Sequence, residues 1–118
     1  MNTTTIGIET IHPEATSAAL EAVRDAARSK TYDEIMHNGS AWVLVKPNHK
    51  SNTRLGKEER IVLKGMGFRW HCSNKAYELW NPAGYAGRSL ILKLAGAVAY
   101  ADVLKAYGFK AYYGSMAD

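Results

Sequence analysis

Apolar positions follow different rhythms along this chain, and each rhythm predicts a different element. From Pro13, "PEATSAALEAVRDAARSK" sets Ala15, Ala19, Ala22 and Ala26 on one helical face, with Leu20 and Val23 beside them. A face of such small residues favours close packing on another element. Proline in the first turn, Glu14 near the positive end of the dipole, and Arg28 and Lys30 at the other end all fit a helix. "YDEIMH" predicts a short second helical turn that stops at Asn38-Gly39. The opening "TTTIGIETI" alternates, and predicts an edge strand.

The rest reads as a compact alternation of strands and helices. "AWVLVKP", 41–47, is a β-rich run closed by proline. "NHKSNTRLG" is a polar, basic loop, and a helix over 56–66 follows, ended by Gly67. "FRWHC" (68–72) and "KAYELW" (75–80) alternate on either side of Ser73-Asn74, a two-residue hairpin signal. Pro82 and the glycines of "PAGYAG" break the chain before a helix over 88–107, and "GFKAYY", 108–113, reads as the last strand. That helix is apolar on more than one face, through Leu90, Leu94, Val98, Val103 and Tyr107. Such a helix is buried on two sides, by the sheet and by the N-terminal helix or a second copy, so a homodimer stays open.

Residues Val62 to Arg69 echo residues Val103 to Lys110 at an offset of 41: helix, Gly-Phe, basic residue, strand. Element order and echo agree on β-α-β-β-α-β. The predicted fold is therefore α+β and ferredoxin-like, a four-stranded antiparallel sheet with two helices. Residues 1–40 form a helical extension, packed on the helical layer or across an edge, and 41–118 form the domain itself.

With Ser73-Asn74 as the turn, Cys72 pairs with Lys75, His71 with Ala76, Trp70 with Tyr77, Arg69 with Glu78 and Phe68 with Leu79. Phe68, Trp70, Cys72, Tyr77 and Leu79 then share the face under the helices. The opposite face carries Arg69, His71, Ala76, Glu78 and Trp80, with Arg69 and Glu78 as a favourable cross-strand pair. A slip of one residue would carry Arg69 and Glu78 into the core, which selects this register. By the same alternation Val43 and Val45 point inward, Trp42, Leu44 and Lys46 outward. On the last strand Phe109 points inward, Lys110 and Tyr112 outward. Two arrangements satisfy the outer pattern: an open face of aromatics and cations, or a second core under the N-terminal helix.

Composition narrows the class. A chain of 118 residues, 47% hydrophobic, makes one globular domain with a real core. A single cysteine excludes an internal disulfide and fits a reducing, cytoplasmic compartment. The N-terminus shows no signal-peptide pattern, and "SLILKLAGAVAYADVL" is interrupted by Lys93 and Asp102, so no membrane association is expected. The net charge of +4 is unevenly spread. Residues 46–75 hold eight basic side chains against Glu58 and Glu59, a net of +6, while residues 1–40 sum to −3. A basic segment on a neutral body is the footprint of a polyanion binder, although many such segments bind nothing.

Catalytic signals are weak. His71 and Cys72 are neighbours on a strand and point to opposite faces, so they form no dyad. Cys72 reads as a small buried hydrophobe. The four histidines stand singly, without metal-ligand spacing, and no carboxylate pair or phosphate-binding Gly-Lys-Ser/Thr is present. No enzyme, metal or cofactor is expected. "GYAG" is similar to the Gly-x-x-Gly loop of KH-type RNA binders, but it follows a strand and has Tyr85 and Ala86 in the middle. It reads as a helix-start turn where Arg88 can meet an anion.

"WVLVKP", a basic helix, and "LKGMGFRWHCSNKAYELWNPAGYAGRS" together resemble a small module of phage and plasmid proteins. It occurs in J-like phage proteins and in tails of mobile-element topoisomerase or primase proteins. The resemblance covers about residues 42–89. Ser73 and Asn74 stand where the module usually has basic residues, and Tyr77 where tryptophan is common. The resemblance implies a mobile-element protein associated with nucleic acid. The first expectation is thus an accessory protein binding nucleic acid through Trp42, Lys46, Lys50, Arg54, Lys57, Arg69, His71, Trp80, Arg88, Lys110 and Tyr112. The alternative is a protein-binding inhibitor of a host nucleic-acid-processing or defence complex, similar in kind to an anti-CRISPR.

Overall fold

The computed structural model describes residues 7–118. A π-helical turn, Gly7–Ile11, leads into α1 (His12–Ser29), followed by the short α2 (Tyr32–Ile35). Then come β1 (Gly39–Lys46), α3 (Arg54–Gly65), β2 (Arg69–His71), β3 (Ala76–Trp80), α4 (Leu90–Ala106) and β4 (Lys110–Ala117). The chain is α+β, and its four strands form one antiparallel sheet in the order β2-β3-β1-β4. No helix among the described residues is long and apolar enough to cross a membrane.

The expected edge strand at the start is corrected. Residues 3–6 lie outside the described residues, and 7–11 are helical and continuous with α1. Local alternation there loses to the strong helical signal that begins at Pro13. Thr31 caps α2 through a reciprocal capping box with Glu34: the Glu34 N–H donates to Thr31 Oγ1, and the Thr31 N–H to Glu34 Oε1.

β1 is one of the two inner strands, and its burial alternates along its length. Ala41, Val43 and Val45 are buried on the inner face, while Lys46 on the outer face is exposed and Trp42 and Leu44 are partly so. α3 adds Val62 and Leu63 to the core beneath, and α4 adds Ala97, Tyr100, Ala101 and Leu104. α1 packs against α4 on the side away from the sheet. At the crossing, a methyl on Gly96 would stand 3.0 Å from Ala83 Cβ and 3.3 Å from Val23 Cγ2, so the two helices touch nearly backbone to backbone. Two polar contacts tie them further. The fully buried Tyr100 hydroxyl lies 2.8 Å from His12 Nδ1, and the Tyr107 hydroxyl donates to Glu14. Burial pushes the Tyr100 phenol well above its ordinary range, and the bond to Glu14 also raises Tyr107.

The internal echo has a physical basis. Gly67 and Gly108 both adopt left-handed backbone, φ +99° and +95°. Each closes a Schellman cap. The Phe68 N–H donates to Leu63 O (3.0 Å) and the Gly67 N–H to Lys64 O (3.1 Å). Phe109 to Leu104 (3.1 Å) and Gly108 to Lys105 (3.0 Å) repeat the pattern. In both copies the phenylalanine returns to the core side, buried for Phe68 and half-buried for Phe109. A Cβ at Gly108 would meet nothing within 4 Å, so substitution there tests backbone conformation alone. Gly108→Ala should lower stability by about 1–2 kcal/mol in chemical denaturation while retaining the far-UV spectrum.

Candidate nucleic-acid interface

The outer sheet face can be assembled row by row from the strand register. Lys110 pairs with Lys46, and His71 with Ala76, so Lys110, Lys46, Ala76 and His71 lie across one end of the sheet. The next row holds Tyr112, Leu44, Glu78 and Arg69, and the third holds Gly114, Trp42 and Trp80. α1 lies on the helical layer, so it does not cover this face. Of the two arrangements the pattern allowed, the second core is ruled out.

The tryptophans are organised. Trp42 and Trp80 stack with ring centroids 4.6 Å apart and planes at 28°. Trp42 lies flat because Gly114 leaves room: a methyl there would stand 2.6 Å from the indole Nε1. Trp80 remains 51% exposed, and its indole N–H donates to Glu78 Oε1 at 2.8 Å. Glu78 is only 7% exposed although it belongs to the outer face. Its second oxygen accepts from Asn74 Nδ2 at 2.6 Å and lies 3.6 Å from His71 Nδ1. The carboxylate thus clamps Trp80 and the turn together, and the Asn74 N–H in that turn donates to His71 Nδ1 at 3.3 Å. At the neighbouring edge Lys46 Nζ sits 5.9 Å from the centre of the Tyr112 ring, and that ring is half exposed.

The expected hairpin register is observed: Arg69 opposite Glu78, Trp70 opposite Tyr77, His71 opposite Ala76. Three expectations about it are corrected. The connection is a four-residue turn with Lys75 in left-handed backbone (φ +51°), not a two-residue turn at Ser73-Asn74. Glu78 is held by Asn74 and Trp80, with His71 Nδ1 3.6 Å away, and among the described residues no ion pair joins it to Arg69. Trp70 and Cys72 are not in the core. Trp70 meets Tyr77 edge-to-face at 5.3 Å, yet it is 52% exposed, and Cys72 is exposed as well. β2 is the outermost strand, and the helices do not reach beyond Tyr77 to cover it.

The remaining basic residues divide between the two ends of the sheet. The loop after Lys46 is fastened by Glu59, which is buried and accepts the Asn48 and His49 N–H groups at 2.8 and 3.1 Å. Arg60 Nη1 adds bonds to His49 O and Gly56 O. Lys50 on this loop and Arg54 and Lys57 in the first turn of α3 are exposed at the same end as Lys46, Lys110 and His71. Arg54 also pairs with Glu58 at 3.4 Å. Arg88 is not brought to this group. Its carbonyl accepts the Gly39 N–H, at the opposite end of β1. Ser89 caps α4 there by accepting the Leu92 N–H, as a helix-start turn requires.

Sequence reasoning missed Glu78 as an organiser and Gly114 altogether. The glycine carried a readable signal, because glycine inside a strand often marks close approach of another group. Comparison with protein-family models, curated proteins and solved structures finds no match to this chain. Gly114→Ala should displace Trp42 and abolish the near-UV circular dichroism of the tryptophan stack, with the far-UV spectrum kept.

Proposed function

We propose that this chain is a small non-enzymatic accessory protein that binds single-stranded nucleic acid on its outer sheet face, bases on the Trp80–Trp42 stack and phosphates at the basic end. The observation that carries this reading is the half-exposed tryptophan stack, held rigid by Glu78 and Gly114, on a sheet face that α1 leaves open. A pre-set aromatic surface loses little side-chain entropy on binding, and stacking tolerates any base. Lys46 and Lys110 lie at one end of that surface, and Lys50, Arg54 and Lys57 are exposed near the same end of the sheet; neutralising phosphates with these cations would release counterions.

The same reading takes the β-α-β-β-α-β unit as a ferredoxin-like plan, supported by its strand order and by the matching Schellman caps. The "GFRW" hairpin's resemblance to the phage and plasmid module supports a mobile-element origin and a cytoplasmic setting in the host.

A second reading, the protein-binding inhibitor, is favoured by one feature. A shallow groove of about 380 Å³ runs between α1 and α4, lined by Ala22, Ala26, Ile91, Leu94 and Val98. A stoichiometric protein partner that survives nuclease treatment would select this class.

Fluorescence anisotropy with short single-stranded oligonucleotides tests the first reading. Affinity should fall steeply as salt rises. Trp80→Ala should weaken binding by about 1–3 kcal/mol, the worth of one stacked base. Absence of binding at low salt, or a Trp80→Ala protein that binds like the parent, would refute it.

A further inference from the structure

The two edges of the sheet are unequal. β2 is three residues long, whereas β4 runs for eight, Lys110 to Ala117, and pairs with β1 without interruption from Gly39↔Ala117 to Lys46↔Lys110. β4 holds no proline or bulge, and among the described residues no element covers its far side. A long free edge of this kind is a template for another strand.

Backbone direction tells which groups are free. The Asp118 N–H donates to Asn38 O at 3.1 Å, toward β1. Successive residues alternate sides, so the even-numbered residues of β4 face β1. Ala111, Tyr113, Ser115 and Ala117 therefore turn their N–H and C=O groups outward.

We propose that two copies of this chain join their β4 edges antiparallel, about a two-fold axis through Gly114, to form one eight-stranded sheet. Charge and shape select this register. A two-fold perpendicular to the sheet keeps outer residues outer, so each residue meets one of its own face. Centring on Gly114 sets Lys110 opposite Asp118 of the second copy, which pairs the segment's two charges with opposite sign. It also sets Tyr112 against Met116, both largely exposed in one copy. Tyr113 and Ser115 then form the hydrogen-bonded pairs on either side of the axis. The two Gly114 residues meet as the close, non-bonded pair, where a side chain would crowd the sheet most. Centring one residue either way leaves Lys110 or Asp118 without its counterpart. In the pair the outer faces become continuous, with one Trp42–Trp80 stack on each side of the axis. The pairing stands on the edge geometry alone and does not depend on the nucleic-acid reading.

Light scattering on nuclease-treated protein across a concentration series tests it. The expected result is a concentration-dependent species of twice the 13.0 kDa chain mass. Ser115→Pro removes an N–H from the free edge and none from the β1 ladder, so it should keep the folded spectrum and weaken dimerisation about tenfold or more. Lys110→Asp and Asp118→Lys should each weaken it, and the double swap should restore it, a result that holds even if the proline variant fails to fold. A monomer at every concentration overturns the proposal. So does a dimer indifferent to the charge swaps, or one lost instead on Val98→Lys in the α1–α4 groove.

Discussion

The alternation of β1 is the constraint on which the other parts depend. β1 pairs along its length with β4 and with β3, and its small and β-branched residues, Ala41, Val43 and Val45, leave one face for the helices. Once they point inward, Trp42, Leu44 and Lys46 must point outward, since side chains on a strand alternate without exception. The registers of β3 and β4 against β1 then carry that division across the sheet. A slip of β1 by one residue would put Trp42 and Lys46 under the helices. The core and the candidate site are thus two sides of a single choice.

A second consequence follows for the N-terminal helix. α4 is apolar nearly all round, and the sheet covers only part of it. α1 supplies alanines where α4 supplies Gly96, so the helices approach closely on the side away from the sheet. Covering the exposed flank of α4 takes apolar surface out of water, and it lets Tyr100 find His12. With α1 engaged on α4, no helix among the described residues lies on the outer face.

The outer face shows how a polar group can order an aromatic one. Glu78 is buried on an otherwise open surface, which would be costly for an unpaired carboxylate. Donors from Trp80 and Asn74 offset that cost, and in return the indole is fixed. Gly114 does for Trp42 by absence what Glu78 does for Trp80 by contact.

Element order from α1 onward, the hairpin register, both glycine caps and the inward or outward sense of β1 and β4 were legible in the sequence, because each rests on local periodicity or on φ-permissive glycine. Three things were not. The exposure of Trp70 and Cys72 depended on how far the helices extend over the sheet. The partner of Glu78 depended on a turn that brings Asn74 and His71 closer to it than Arg69. The separation of Arg88 from the other cations depended on which end of β1 the β3–α4 connection meets. Periodicity tells which face a residue occupies. Only packing decides whether that face is covered, what each polar group reaches, and which residues distant in sequence share an end of the sheet, because these depend on distances between elements rather than along them.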